Sequence, residues 1–464
     1  MRNNSKTVQF VVDSHLCTSC GVCAGICPSD SIQMVIDAHG IFTPLINRST
    51  CNECGICVKV CPGYKFDYIY FTRKIHKKLP NNIALGHCIG SFSGYTSDEH
   101  IMKMSQSGGF VSALLIYCLE HKIIDGAVVT KWQKDNPFLT ETYISKNAEE
   151  VLDAVGSKYN PVPAGKIVRK LLAMSGNYIF VGTPCQIQGM RKVEELFPQI
   201  KKRIKLYIGL HCLKVFNYYY QDQILCKLKI KKENVKYFRL KDKAWRGWPG
   251  DMRIISKSGV IYDLSGAYSR LWARSYFSNW RCQLCFDKLN EFSDISCGDC
   301  RIPGSYSEKS LQEVYYKAKG HSDIIIRTER GKEIFERFID DKVFNVIKSD
   351  EKELVASVAI AEKKLGVSIF KAFSKIFNIS TPSYGINFKR RDKNIGTIDK
   401  ILLPYSVIAS GHYYLCHMLV KYKIFRFLLK RIPHSLLGRL EMIREKRVYH
   451  VKHRRETELI IEEE

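Results

Sequence analysis

Eight cysteines in two matched runs constrain this chain more than any other feature. Cys17-Thr-Ser-Cys20-Gly-Val-Cys23-Ala-Gly-Ile-Cys27-Pro28 is followed by Cys51-Asn-Glu-Cys54-Gly-Ile-Cys57-Val-Lys-Val-Cys61-Pro62. Each run is C-x2-C-x2-C-x3-C-P. Two-residue gaps let three thiolates wrap one inorganic cubane in a tight turn. The fourth cysteine, three residues on, starts a short helix and points away. In bacterial two-cluster ferredoxins it ligates the other cluster. The spacing therefore assigns Cys17, Cys20, Cys23 and Cys61 to one [4Fe–4S] cluster, and Cys51, Cys54, Cys57 and Cys27 to a second. Zinc sites more often pair two C-x2-C units across a longer loop, four ligands to one ion. Two four-cysteine runs closed by proline match that poorly.

The expected bacterial-type ferredoxin fold occupies residues 1–71. Between the runs, residues 31–50 alternate apolar and polar around Asp37-Ala-His-Gly40, the pattern of a β-hairpin. Val8 to Val12 reads as a lead-in strand. The aromatic run Tyr64, Phe66, Tyr68, Tyr70 and Phe71 has two readings, a cap over a cluster or a strand with aromatic partners.

A chain of 464 residues is too long for a ferredoxin alone and predicts about three domains. A basic, turn-rich linker is expected at 72–84, an α/β region at 85–345, and a mostly helical, basic region at 346–464. The 18 cysteines imply a reducing cytoplasm, because oxidation would destroy ligands and clusters alike. The first seven residues lack the apolar core of a signal peptide. No uninterrupted apolar run reaches the roughly 18 residues that a membrane span needs. A net charge of +26 admits nucleic acid, anionic lipid or acidic molecules as partners. No helix-turn-helix, zinc-finger or RNA-binding signature supports nucleic acid.

Along the α/β region, Ser107-Gly108-Gly109 precedes a helical pattern with Phe110, Val111, Leu114, Leu115 and Cys118 on its apolar face. Such a loop offers free N–H groups to a phosphate, although a plain cap or tight turn has the same composition. Gly156-Ser157-Lys158-Tyr159 is a second candidate anion contact. Two predicted strands then end in cysteine. Residues 178–181 run into Gly182-Thr183-Pro184-Cys185-Gln186, and 206–210 run into His211-Cys212. A helix between them makes the strands parallel, with both cysteines at carboxyl ends, where open α/β sheets bind ligands.

Cys282-x2-Cys285-x-Asp287 and Cys297-Gly298-Asp299-Cys300 follow, with two readings. Cys282 and Cys285 join Cys185 and Cys212 around a third cluster. Alternatively, Cys282, Cys285, Cys297 and Cys300 form a local zinc ribbon, with a short middle gap. Residues 245–280, rich in Trp, Tyr and Arg, read as a substrate-facing surface or as an aromatic-rich part of the fold. A strand at 321–328 and a helix at 331–339 complete the α/β part. Residues 400–432 mix apolar side chains with Lys421, Lys423, Arg426, Lys430 and Arg431. They read as a basic amphipathic helix on anionic lipid at the inner membrane face, or as a solvated helix packed on the domain. The tail, 444–464, reads as exposed helix or disorder.

The order of these elements resembles the coenzyme F420 hydrogenase/dehydrogenase beta-subunit family over roughly residues 10–340. The Gly182-Thr-Pro-Cys-Gln and Cys282-x2-Cys285-x-Asp287 elements are the most specific parts beyond the ferredoxin. The resemblance implies an iron–sulfur, FAD-dependent oxidoreductase. It would pass electrons from a ferredoxin-like donor to a small two-electron acceptor, a deazaflavin or a polysaccharide-pathway intermediate. The alternative is an electron-transfer subunit serving a separate enzyme. The family favours Cys185, Cys212, Cys282 and Cys285 as a third [4Fe–4S] site. It also implies flavin contacts at Ser107, Gly108, Gly109, Lys158 and Thr183, with Lys158 as the charge beside the reduced flavin. Cys297 and Cys300 stand where the family leads one to expect other residues.

Overall fold

The first cysteine run turns at Gly21, φ +81°, straight into the helix Val22–Ile26; the second turns at Gly55, φ +75°, into Ile56–Lys59. Both glycines hold the left-handed conformation that lets so short a loop close. The computed structural model describes residues 6–264, 276–300, 320–376, 378–391, 412, 414–431 and 458–464. Between the runs, β1 (Ile32–Ile36) and β2 (Phe42–Ile46) form the expected antiparallel hairpin, with Ile32 opposite Ile46. Its turn is closed by the Asp37 carboxylate, which accepts from the N–H groups of His39 and Ile41.

Two expectations near the ferredoxin are corrected. Residues 8–12 are not a strand: Gln9–Asp13 is a short helix. Val8 and Val11, three apart, share a face and enter the same apolar cluster as Leu16, Ile32 and Met34. The aromatic run is not a strand either. Asp67 caps the helix Tyr68–His76 by accepting from the Tyr70 N–H at 2.9 Å. Tyr68, Phe71 and Thr72 face inward at helical spacing. The segment read as a linker therefore begins inside a helix, and buried His76 places its ring nitrogens against the carbonyls of Arg327 and Glu291.

The body is an eight-stranded mixed sheet, built from β3 (Gly90–Thr96), β4 (Gly126–Trp132), β5 (Thr140–Ser145), β6 (Tyr178–Gly182) and β7 (Ile204–Leu210) onward. A separate antiparallel sheet, β8 (Val235–Asp242), β9 (Asp251–Ser256) and β10 (Ile261–Leu264), interrupts it. β11 (Ile295–Asp299), β12 (Ser322–Ile326) and β13 (Phe344–Lys348) complete it, in the order β13-β3-β12-β11-β7-β6-β4-β5. β4, β6, β7 and β11 run parallel, and the flanking strands are antiparallel. The parallel centre is covered on both faces, as such sheets require. Ile179, Leu206 and Ile208 pack with Leu114 and Leu115 on one side. Phe180 and Tyr207 pack with Ile187 and Met190 of the helix Pro184–Leu196 on the other.

The ferredoxin docks on that second face with backbone against backbone. A Cβ on Gly25 would fall 2.2 Å from the Gly165 carbonyl oxygen, and one on Gly165 would fall 2.6 Å from the Val22 nitrogen. The gap is closed by a 2.7 Å hydrogen bond from the Gly165 N–H to the Cys20 carbonyl. Arg169 adds a bond to the Cys27 carbonyl, 2.8 Å, and an ion pair with Asp30.

The C-terminal region is mostly helical, with helices at Glu351–Val358, Ile360–Ile376, 414–420 and Lys423–Arg431. Its acidic end departs from expectation. Leu459–Glu463, β15, pairs antiparallel with β14, Ile386–Arg390. Opposite charges hold the pair: Lys389 with Glu462, Arg391 with Glu458 and Lys371 with Glu464. Residues 265–275, 400–411 and 444–457, which belong to three segments singled out above, lie outside the described residues.

Candidate metal centres and anion cleft

All 18 cysteines are free thiols. Those of the ferredoxin lie close enough together to shift one another. Burial raises the Cys20 thiol to about 11, and the charge of Cys61 adds to it. Cys17 and Cys23 are pushed up by burial and then by their neighbours, Cys61 among them. Cys57 is raised by burial, with Cys54 and Cys27 as its thiol neighbours. Cys51 belongs to the same apolar cluster as Cys23, Cys27, Cys57 and Cys61, while Cys54 is exposed. Among the described residues, no three cysteine sulfurs lie within 4.8 Å of one another. Four thiolates on a single zinc ion would stand about 4 Å apart, given Zn–S bonds of about 2.3 Å. An all-thiol donor set is the one that iron–sulfur clusters take.

Four further thiols meet at the carboxyl ends of the parallel strands. Cys185 lies in the first turn of the helix after β6. Thr183 caps that turn, its N–H bonded to Gln186 Oε1 at 2.8 Å and its hydroxyl 3.5 Å from Cys185 Sγ. Cys212 follows β7, and its N–H donates to the Lys288 carbonyl. Cys282 and Cys285 come from the tight turn Trp280–Leu284 and its end. Burial raises Cys185, which then feels Cys20, Cys285 and Cys282; Cys212 is raised by burial, then by Cys282, Cys185 and Cys285. Cys185 thus lies within electrostatic reach of Cys20 of the first ferredoxin run.

Cations stand around these thiols. Arg281 is buried, donates to the Gly63 carbonyl at 3.1 Å, and has Cys285 and Cys185 among its charged neighbours. Among the described residues no carboxylate pairs with it. Lys363 donates to the Cys282 carbonyl at 2.9 Å. A buried guanidinium within electrostatic reach of Cys185, Cys282 and Cys285 fits an anionic metal–thiolate group.

The zinc-ribbon reading is corrected. Cys297 lies on β11 inside the apolar core with Ile295 and Ile324, and its charged neighbours are Asp299 and Asp323. Cys300 accepts from the Ser93 hydroxyl at 3.4 Å. Sheet pairing carries both away from Cys282 and Cys285.

The proposed flavin residues divide. Gly108 and Gly109 answer to packing: a Cβ on Gly108 would meet the Gly94 oxygen at 2.2 Å, and Gly109, φ +81°, starts the helix Phe110–Glu120. Ser107 and Lys158 sit at two ends of a basic stripe that the sequence reading missed. Arg239, Lys241 and Lys243 alternate along and just past β8. Lys243 donates to the Ser107 carbonyl at 3.1 Å. Lys241 pairs with Asp299 at 2.5 Å and lies 5.9 Å from the centre of the Tyr159 ring. Part of the Lys158 side chain reaches the surface, but its ammonium is enclosed and donates to the carbonyls of Ala154 and Val155. Burial, and then the charge of Arg239, hold it well below the usual ammonium range. Arg239 Nε is buried without a hydrogen-bond partner among the described residues. An orphaned guanidinium N–H beside an amine whose charge burial opposes is suited to an anion such as a phosphate, which would favour the proton on both. The alternation Arg239-x-Lys241-x-Lys243 was the available signal.

Thiol groups of this kind on a mixed α/β body define an iron–sulfur electron-transfer protein. A 4Fe–4S dicluster domain model matches residues 4–64. The N- and C-terminal models of the coenzyme F420 hydrogenase/dehydrogenase beta subunit match residues 91–169 and 175–352, together more than half of the chain. The chain belongs to that family, with a dicluster domain ahead of it. It is 26% identical over 261 residues to the coenzyme F420 hydrogenase subunit beta of Methanothermobacter thermautotrophicus, covering 54% of this chain and 82% of that one. It is 28% identical over 350 residues to the coenzyme F420-dependent sulfite reductase of Methanocaldococcus jannaschii, covering 70% of this chain and 46% of that enzyme. A chain of the F420-reducing [NiFe] hydrogenase complex from Methanosarcina barkeri shares the fold. Its TM-score is 0.50 at 21% identity, over 66% of this chain and 98% of that one.

Proposed function

We propose that the chain passes electrons from a ferredoxin-like donor, through three [4Fe–4S] clusters, to FAD and on to an organic two-electron acceptor. That acceptor is a deazaflavin or a polysaccharide-pathway intermediate. The observation that carries the reading is the seam at Cys20, whose carbonyl accepts from the Gly165 N–H at 2.7 Å and whose charge reaches Cys185 at the carboxyl end of β6. When bound, the clusters supply single-electron transfer and the flavin couples it to two-electron chemistry. Cys17, Cys20, Cys23 and Cys61 would hold one cluster, and Cys27, Cys51, Cys54 and Cys57 the second. Cys185, Cys212, Cys282 and Cys285 would hold the third, with Arg281 and Lys363 offsetting its charge. Lys158 and Arg239 would bind the flavin's phosphates. Lys241 and Lys243, oriented by Asp299 and the Ser107 carbonyl, would keep the cleft positive. The capped turn at Thr183 fixes Cys185.

The test is an iron, sulfide, zinc and flavin count on anaerobically prepared chain. About twelve irons, at four per cubane, with one FAD, is the expected result. About eight irons would remove the third cluster. The hydrogenase relatives are named as subunits, which favours a second reading in which this chain only carries electrons for a partner enzyme. A full iron complement without flavin would establish that reading over the first.

A peripheral contact with anionic lipid on the cytoplasmic side belongs to the same proposal. The helix Lys423–Arg431 exposes Ile424 (70%), Phe427 (50%) and Leu428 (54%) among Lys423, Arg426 and Lys430. Co-sedimentation with anionic vesicles should fall when residues beyond 420 are removed; equal sedimentation of the two chains refutes the contact.

A further inference from the structure

Outside the thiol sites, three histidines from distant parts of the chain meet at one point. His15 lies just before the first cysteine run, His39 lies in the β1–β2 turn, and His417 lies in the helix 414–420. One nitrogen from each lies within 4.8 Å of the other two, and they are the only such group of His, Cys, Asp or Glu among the described residues. We propose that His15, His39 and His417 bind a borderline divalent cation, zinc in the first instance, which staples the C-terminal helical segment to the ferredoxin hairpin.

The geometry supports three imidazole ligands. His417 Nε2 stands 3.3 Å from His15 Nδ1. Two nitrogens on a tetrahedral zinc, each about 2.0–2.1 Å from the metal, are separated by much the same distance. His39 Nδ1 lies 2.9 Å from the His417 carbonyl oxygen. A carbonyl only accepts, so the proton is on Nδ1 and Nε2 keeps its lone pair. This is the outer-shell hydrogen bond that orients metal-binding histidines. Imidazole suits zinc, copper and nickel, and three protein ligands leave a fourth position for water.

The rings of His39 and His417 are stacked, with centroids 4.4 Å apart and planes 14° from parallel. One of them must turn about χ2 for both planes to contain the ion. Among the charged groups nearby, Asp13 and Asp37 favour a cation and Lys421 opposes it.

The test loads anaerobically prepared full-length chain with zinc, removes loose metal by gel filtration, and counts zinc beside iron and sulfide. The unmutated chain should hold about one zinc more than His39→Gln or His417→Gln at equal iron. Affinity in the variants should fall at least as far as the roughly 10–100-fold that loss of an outer-shell partner costs. Equal zinc in all three chains overturns the proposal. If a variant loses iron and so fails to fold, histidine footprinting of the unmutated chain decides. Zinc must shield His15, His39 and His417 from diethylpyrocarbonate, and unchanged modification of the three overturns the site.

Discussion

The ferredoxin cysteines fall within a span of 45 residues, from Cys17 to Cys61, whereas Cys185, Cys212, Cys282 and Cys285 spread over 101. The first group is placed by local chain: two left-handed glycines, two short helices and a fixed count of residues between thiols. The second has no local instruction. It exists because parallel pairing of β6 with β7 brings two loops side by side, and because Arg281 ties the Cys282 turn to Gly63 beneath the ferredoxin. A site written locally should survive damage to the body of the protein. A site written by topology should fail when any of several distant contacts is lost.

The largest effect that would sharpen this contrast comes from the thiols themselves. Cys285→Ser should lower the iron count by about four and leave the ferredoxin irons in place. Cys61→Ser should also remove about four, and with them part of the apolar cluster that Val8, Leu16 and Ile32 share with Cys23 and Cys27. Iron and sulfide analysis with anaerobic denaturant unfolding reads both. An unchanged iron count in Cys285→Ser would end the third-cluster assignment.

Next come the cations. Removing one member of a buried charge pair costs roughly 3–5 kcal/mol, and Arg281→Met should approach that in chain carrying its full iron. Lys192 serves the ferredoxin differently. It is only partly buried and donates to the carbonyls of Cys61 and Lys65 at 2.8 and 2.7 Å. Lys192→Met should cost roughly 0.5–1.5 kcal/mol. Equal losses in the two variants would erase the distinction between the sites.

The seam between the two regions is tested by Gly165→Ala. The new Cβ would meet the Val22 nitrogen at 2.6 Å and Val22 Cγ1 at 2.5 Å. Backbone cannot step aside as a side-chain end can, so the ferredoxin must lift, at roughly 1–3 kcal/mol. The unfolding midpoint should drop while the iron count holds. A midpoint equal to that of the unmutated chain would mean the seam is looser than the structure has it.

The same contrast explains what could be read before the fold was known. Sulfur spacing, the hairpin and the strand–helix–strand unit around Cys185 were legible because each follows from a short-range period or count. Residues 8–12 misled because five apolar and polar positions fit a strand as well as a helical turn, and only the shared core of Val8 and Val11 decides between them. The acidic tail misled because its partner strand is about 70 residues away. Cys297 and Cys300 offered a ribbon through their C-x2-C spacing, despite the short middle gap: β11 pairs with β7 and β12, and that pairing buries Cys297 in the sheet. The basic stripe of β8 went unnoticed because a strand of mixed character shows its purpose only when Lys158 is seen to face it.

The smallest effect lies at that stripe. Lys158 titrates near 10.5 when unfolded and well below that in the fold, because burial and then Arg239 oppose its charge. Between the two values the unfolded chain binds the extra proton. Flavin-free protein therefore gains stability as pH rises towards about 10.5 and loses it as pH falls through the depressed value. Lys158→Met should remove that slope. The same variant should bind FAD more weakly. Urea midpoints between pH 7 and 10 check the first part, and a flavin titration checks the second. Parallel pH slopes in the two proteins would show that Lys158 keeps its ordinary charge, and the case for an anion between it and Arg239 would go with it. A lost slope with undiminished FAD binding would leave the cleft positive but move the flavin elsewhere.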